Sequence, residues 1–387
     1  MKIALWWHLP AGGGKRALYD QVRYLAERGH EIHAWSPATA DRDFLPLEGL
    51  ASETVLPMPD LMVGSRTAPM LLHAAKVASE IEAGGFDLAF LHSCRWFSAP
   101  HLGRNQKLKS ALYLHEPLRH LHESRPKPAW TVPAGACLRD RAIGYWRTLR
   151  NRKLASQEWT NAQGPTRILV NSLFSREAVV RAYGRNAKLC PLGVDVDYWT
   201  PGEEDRQPII AGLGTVAPHK GIDIALRSIA MLSGPKPRLE WIGNFSVGKY
   251  AEEMRSYAKL LGVELNLRFA VPQDEVRDLL RKASVFFFPS RLEPMGYAPL
   301  EAGACGCPVI GFCEGGVRET IVHGTTGMLV QEEEEFAIHL EALLASSERI
   351  KEMGAMARMR VASHYGVQQA GAALESELLK LAEKGMV

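Results

Sequence analysis

The run Val285-Phe286-Phe287-Phe288, closed by Pro289-Ser290, most limits what this chain can become. Consecutive apolar residues without alternation suit a strand buried on both faces, the habit of parallel sheets, and the run is too short for a buried helix. A loop follows, Arg291 to Tyr297. Pro299 falls where a first helical turn tolerates proline, and Leu300-Glu301-Ala302-Gly303-Ala304 carries a helix. Gly306-Cys307-Pro308 ends it, and Val309-Ile310 begins another strand. The unit is strand, loop, helix, strand, with its loop at the carboxyl end of a parallel strand. Open α/β sheets bind ligands there.

Two carboxylates mark this unit, Glu293 in the loop and Glu301 one turn into the helix. Amides near Met295-Gly296-Tyr297 open onto a helix N-terminus, which is electropositive and suits a phosphate. A carboxylate sits badly against a phosphate and well against neutral hydroxyls, such as those of a ribose and a sugar. The plainer reading is a helix-dipole partner at Glu301 and a solvated loop charge at Glu293.

The flanks decide between these readings. FFFPSRLEPMGYAPLEAGACGCPVIGF, followed by EGGVRETIVHGTTGMLV with Gly315-Gly316 and Gly324-Thr325-Thr326-Gly327, resembles the E-x7-E region of retaining glycosyltransferases, especially family 4. The resemblance implies the GT-B fold, two Rossmann-like domains with parallel sheets facing across a cleft. It implies that Glu301 holds the ribose of a nucleotide diphosphate and that Glu293 contacts the donor sugar. Met295, Gly296 and Tyr297 would then lie against the donor.

Length and composition agree with such an enzyme. A chain of 387 residues is long enough for two domains, each with its own core. A net charge of +3 is too small to argue for nucleic acid. No apolar stretch reaches membrane-spanning length. The amino terminus has too short an apolar run for a signal peptide and reads as a first strand. The scattered cysteines 94, 137, 190, 305, 307 and 313 read as reduced thiols of a cytoplasmic protein. Cys305 and Cys307 fit no common zinc spacing, and packing at a helix end suits them better.

KIALWW reads as a strand and ALYDQVRYLAERG as a helix, with Leu18, Val22 and Leu25 at helical spacing. Between them stands Gly12-Gly13-Gly14. Three glycines either make a flexible turn or let a backbone approach an anion. Their spacing is not the G-x-G-x-x-G dinucleotide fingerprint, which counts against an oxidoreductase. The resemblance favours a ligand role for Gly13 and Gly14. Asp87–His92 and Ser110–His115 read as strands ending in histidine. A lone histidine is more often structural. LYLHEP resembles the family stretch whose histidine faces the donor sugar, which implies that role for His115, with His92 a weaker second.

Residues 138–153 combine Arg139, Arg141, Arg147, Arg150, Arg152 and Lys153 with Ile143, Tyr145, Trp146 and Leu149. Such a helix either rests on an anionic membrane surface or is a solvated face over a packed stripe. Ser172 reads as the N-cap of the next helix. CPLGVD resembles the family's P-N-G-V-D turn, with Leu192 where asparagine is usual, and Asp195-Val196-Asp197 belongs to that turn.

The second half repeats the strand-and-loop grammar. GTVAPHKG resembles the family's G-R-L-x-x-x-K-G phosphate loop, so Lys220 is expected on the diphosphate. Thr215 stands where the family has arginine, and Arg291, Lys15 or Arg16 are the residues that could replace it. LRFAV is the strand whose end, at Val271, the resemblance sets against the nucleobase.

The expected domains are 1–198, binding the acceptor, and 199–365, binding the nucleotide sugar, with a terminal helix 366–387 returning to the first. The expected activity is transfer of a hexose-type sugar from a nucleotide diphosphate donor, UDP-linked ahead of GDP-linked, to an acceptor hydroxyl on a glycan, lipid or small molecule. Retention and the absence of any metal or other cofactor come from the resemblance. The catalytic set is His115, Glu293 and Lys220. The rival readings are an epimerase of the same fold and an idle nucleotide-sugar-binding protein.

Overall fold

In the computed structural model, which describes residues 1–57, 67–105, 107–123 and 138–383, thirteen strands form two sheets. The side chains of 67–68, 138–144 and 147 lie outside this description. The first sheet contains β1 (Lys2–His8), β2 (Glu31–Pro37), β3 (Ser52–Leu56), β4 (Leu88–Cys94), β5 (Ser110–Leu114), β6 (Arg167–Val170) and β7 (Lys188–Leu189), in the order β3-β2-β1-β4-β5-β6-β7. The second contains β8 (Gln207–Leu213), β9 (Arg238–Gly243), β10 (Leu265–Phe269), β11 (Ala283–Phe288), β12 (Val309–Phe312) and β13 (Gly327–Val330), in the order β10-β9-β8-β11-β12-β13. All pairings are parallel.

Both orders are doubly wound. The chain reverses direction across each sheet between its first and fourth strands, β1/β4 and β8/β11, and at such a switch point the loops splay apart and leave a crevice. The loops after those strands carry Gly12–Gly14 and Pro289–Glu293.

The chain divides into two units, Met1–Pro191 with Gly371–Val387, and Leu192–Ala370. The boundary thus falls seven residues before the expected 198/199, because Leu192 already packs with the second unit: its amide donates to Met295 Sδ at 3.4 Å. The helix Val367–Glu383 enters the first unit at Gly371. There Glu375 accepts from His30 at 2.8 Å and Arg28 at 3.4 Å, and Glu377 pairs with Arg167 at 2.7 Å. Residues 384–387 lie outside the described residues.

Central strands are buried on both faces, as unbroken apolar runs require. Every residue of β11 and β4 is buried. The core of the second unit holds Phe287, Phe312 and Phe336, with ring centroids 4.6 and 4.9 Å apart. Ser172 caps the helix Leu173–Tyr183 by accepting from the Ser175 amide at 3.0 Å. Two strand expectations need correction. β4 continues to Cys94, so His92 lies inside the strand with no exposed surface, not at its end. β10 stops at Phe269, so Val271 lies two residues beyond it, after Ala270 at φ 48°. β4, a run buried throughout, has no alternation to mark where it stops.

Candidate active site

In the second unit the E-x7-E segment folds against the loop after β8. A 3-10 turn, Pro218–Lys220, ends that loop and brings Lys220 beside the end of β11. Its ammonium lies 2.9 Å from Glu293 Oε2 and 3.4 Å from Ser290 Oγ. The Ser290 hydroxyl donates to the same carboxylate oxygen at 3.1 Å. Lysine, serine and glutamate form one triangle at the switch point, so Glu293 is an ion-paired group and not a solvated loop charge. Ser290 is 4% exposed and locks the other two in place. Sequence reading passed over it, because a serine after proline at a strand end looks like turn punctuation.

The EGG segment explains itself in the same place. A Cβ on Gly315 would lie 2.3 Å from the Glu293 carbonyl oxygen, and one on Gly316 would lie 2.0 Å from that of Pro294. The Gly316 amide donates to the Glu293 carbonyl at 2.8 Å. Only glycine permits this approach, and the contact fixes the backbone that aims Glu293.

The helix Tyr297–Ala304 starts from Gly296 and carries Glu301 on its buried side, 5% exposed. Met295 is 2% exposed, so its backbone and not its side chain stands at the helix N-terminus. Thr215 is half-buried in the turn between Gly214 and Val216. Trp241 Nε1 holds that turn through the Gly214 carbonyl at 2.8 Å. Arg291, one of the cations that could replace the missing arginine, is paired within this unit. Its Nε donates to Glu314 at 2.9 Å, and its guanidinium lies 4.3 Å from the Phe312 ring centre. Asp195 Oδ1 accepts from the amides of Asp197 and Tyr198, both at 3.1 Å, which makes the D-x-D spelling a local turn.

In the first unit, Gly13 and Gly14 open the helix Gly13–Glu27 directly after β1. His115 follows β5, and its Nε2 would lie 3.3 Å from a Cβ on Gly14. Burial pushes His115 down to about 4, so the imidazole is neutral at ordinary pH. His92 stacks on Tyr113 with ring centroids 5.4 Å apart. Arg16 lies 4.0 Å from Asp20, and Lys15 is wholly buried with its ammonium 3.6 Å from the Trp7 ring centre.

The model described as Glycosyltransferase Family 4 matches residues 11–198, and that described as Glycosyl transferases group 1 matches 197–360. The chain belongs to glycosyltransferase family 4. Among curated relatives, this family 4 chain is 31% identical to a GDP-mannose-dependent alpha-(1-6)-phosphatidylinositol monomannoside mannosyltransferase of Mycolicibacterium smegmatis, over 54% of this chain and 60% of that one. It is 25% identical to the D-inositol 3-phosphate glycosyltransferase of the same organism, over 83% and 75%. It spans from 40% to 60% of the length of the first three curated relatives it matches. Among solved structures it superposes on Anabaena HepE in complex with UDP and glucose (TM-score 0.75, 18% identity, 98% of this chain and 100% of that one). It superposes equally on sucrose-phosphate synthase from Thermosynechococcus elongatus (TM-score 0.75, 19% identity, 99% and 100%). The fold of the family 4 chain is GT-B.

Proposed function

We propose that the protein transfers a hexose from a nucleoside diphosphate donor to an acceptor hydroxyl, with retention at the anomeric carbon and without a metal. The observation that carries this reading is the Lys220–Ser290–Glu293 triangle at the β8/β11 switch point, with Glu301 buried on the next helix. Glu301 takes the ribose hydroxyls. Lys220 leaves Glu293 for the diphosphate, where negative charge develops as the glycosidic bond breaks, and the helix N-terminus at Gly296 shares that charge. Glu293, released from the lysine, accepts from sugar hydroxyls. His115, neutral, donates to the sugar, and the acceptor proton leaves on a phosphate oxygen.

The test is incubation with UDP- and GDP-linked hexoses, with and without chelator, while free nucleoside diphosphate is measured. Release should occur with at least one donor, proceed unchanged in chelator, and be faster with UDP-linked than with GDP-linked sugar. Activity lost in chelator and restored by magnesium or manganese contradicts the metal-free mechanism. A product of inverted anomeric configuration contradicts retention. Epimerised nucleotide sugar without transfer would mean the epimerase reading.

A second observation bears on the acceptor side. On the helix Leu138–Gln163, Tyr145 and Trp146 are 64% and 71% exposed, Leu149 is also exposed, and Arg150, Arg152 and Lys153 stand beside them. Arg139, Arg141, Ile143 and Arg147 have side chains outside the described residues. Aromatic residues next to arginine and lysine suit the interface of an anionic bilayer, and we assign this surface to peripheral contact with one. Sedimentation with phosphatidylglycerol-containing vesicles should capture the chain. Replacing Arg150, Arg152 and Lys153 by glutamine should weaken capture on the order of a hundredfold, at about 1 kcal/mol per charge. Equal capture by neutral vesicles would count against it.

A further inference from the structure

Beneath the first turn of the helix Gly13–Glu27, polar groups are buried that no protein atom satisfies. Lys15 is 0% exposed and its Nζ has no hydrogen-bond partner. His92 is 0% exposed and both its ring nitrogens lack one. Trp7, also 0% exposed, has an unpartnered Nε1, and the enclosed Nε2 of His115 is unpartnered too. Buried polar groups are nearly always hydrogen-bonded, and each exception costs about 1–3 kcal/mol. Several in one place are not packing accidents.

They are one cluster. Lys15 lies over Trp7, and the Tyr113 ring joins the two histidines, its centre 5.4 Å from that of His92 and 5.3 Å from that of His115. β1, β4 and β5 are neighbours in the sheet; Trp7, His92 and His115 lie at or near their carboxyl-terminal ends, and Lys15 comes from the helix that follows β1. Gly14 lacks the side chain that would crowd His115 Nε2. The charges of Glu53 and Asp41 act on Lys15, but both carboxylates take their hydrogen bonds from other groups. Glu53 accepts from Ser36 Oγ at 3.0 Å, and Asp41 accepts from the amides of Ala11 at 3.2 Å and Phe44 at 3.1 Å. His8, close by, shows the ordinary arrangement: it is partnered by Thr39 at 3.0 Å and Cys94 at 3.2 Å.

The groups left over are an ammonium, an indole N–H and two imidazoles. They can all donate, and an ammonium and an indole cannot accept. We propose that Trp7, Lys15, His92 and His115 form a subsite for an oxyanion, a carboxylate or phosphoryl group carried by one of the substrates. The subsite rests on the glycosyl-transfer reading only in assigning the oxyanion to a substrate. A buried lysine with a ring beneath it but no hydrogen-bond acceptor lowers stability, and such a site is retained where binding needs it.

The two readouts therefore move in opposite directions. Lys15→Met keeps the stem against Trp7 and removes the charge. It should raise the melting temperature and weaken binding of inorganic phosphate at least tenfold. Calorimetry on the full chain reads the affinity, in a Lys220→Ala background so that the second unit's lysine contributes nothing. Trp7→Phe keeps a ring under the ammonium and removes only the N–H; it should weaken phosphate severalfold, and it carries the comparison if Lys15→Met does not fold. Saturating nucleoside diphosphate then separates the sources. Competition with phosphate assigns the oxyanion to the donor, and simultaneous binding assigns it to the acceptor. Phosphate affinity unchanged by both substitutions overturns the subsite, and if His115→Ala still loses turnover the transfer reading survives alone. Phosphate binding that depends on Lys15, in a chain that releases no nucleoside diphosphate from any sugar donor, leaves the subsite and removes the transfer reading.

Discussion

Replacing Lys220 by alanine should lower kcat/KM by about tenfold to a hundredfold. A hydrogen bond to a charged group contributes roughly 1.5–3 kcal/mol net, and each 1.36 kcal/mol is tenfold in rate. The upper part of that range is expected for two reasons. The family's arginine is replaced by Thr215, and Arg291 is turned to Glu314, so within the second unit Lys220 carries an enlarged share of the diphosphate charge. Removing it also takes the ammonium away from the Glu293 carboxylate. Thr215→Arg should partly restore a Lys220→Ala enzyme, since position 215 lies on the same loop. The kcat/KM of the two single variants and the double checks this. A Lys220→Ala enzyme of near-normal rate would mean that the loop does not hold the phosphate.

Acid should unfold the first unit before the second. Burial lowers His8 to about 4, with the Arg95 and His73 charges adding to it. Burial likewise lowers His101 to about 4, against an opposing hydrogen bond with Asn161. His115 falls to about 4, and His92 lies well below the usual range through burial, then the charges of His115 and Lys15. In the unfolded chain these residues take up protons near pH 6.5. In the native state His8, His101 and His115 do so only near 4, and His92 well below its usual range, so the unfolded state binds more protons in between. Stability is then complete above 6.5 and is lost as pH falls toward 4. At 1.36 kcal/mol per unit, each shift is worth up to about 3 kcal/mol, and several together rival the 5–15 kcal/mol that holds a typical domain. In the second unit His339 shares the direction, lowered by burial and then by the His323 charge. Hydrogen exchange, corrected for intrinsic rates, should show the first unit opening between pH 6 and 4 while the second stays protected. Simultaneous opening of both units, or a first unit still closed at pH 4, would contradict this.

What could be read from the sequence was what lies contiguous in it. Strand, loop and helix follow one another from Ser284 to Ala304, so the E-x7-E segment and its place at a strand end were visible without coordinates. The loop GTVAPHKG, which resembles the family's phosphate loop, was visible for the same reason. Pairings across the chain were not. Nothing local says that Lys220 meets Glu293, 73 residues on, or that Ser290 completes the triangle. Lys15 was weighed only as a cation that could replace the family's arginine. Its burial was nonetheless signalled, since Lys15, Leu18, Val22 and Leu25 share one helical face. His92 was set at a strand end because residue types were weighed there, while the unbroken apolar run hid where β4 stops.

The central claim is that the E-x7-E segment holds a nucleotide, and calorimetry with free nucleoside diphosphate on Glu301→Ala tests it most directly. Glu301 is buried on the helix that follows the Lys220–Ser290–Glu293 triangle, and its carboxylate is the acceptor assigned to two ribose hydroxyls. Hydrogen bonds to a charged group at roughly 1.5–3 kcal/mol predict an affinity at least tenfold weaker. Circular dichroism and melting temperature establish that the variant is folded. A folded Glu301→Ala chain that binds the nucleotide as tightly as the native one would contradict the account.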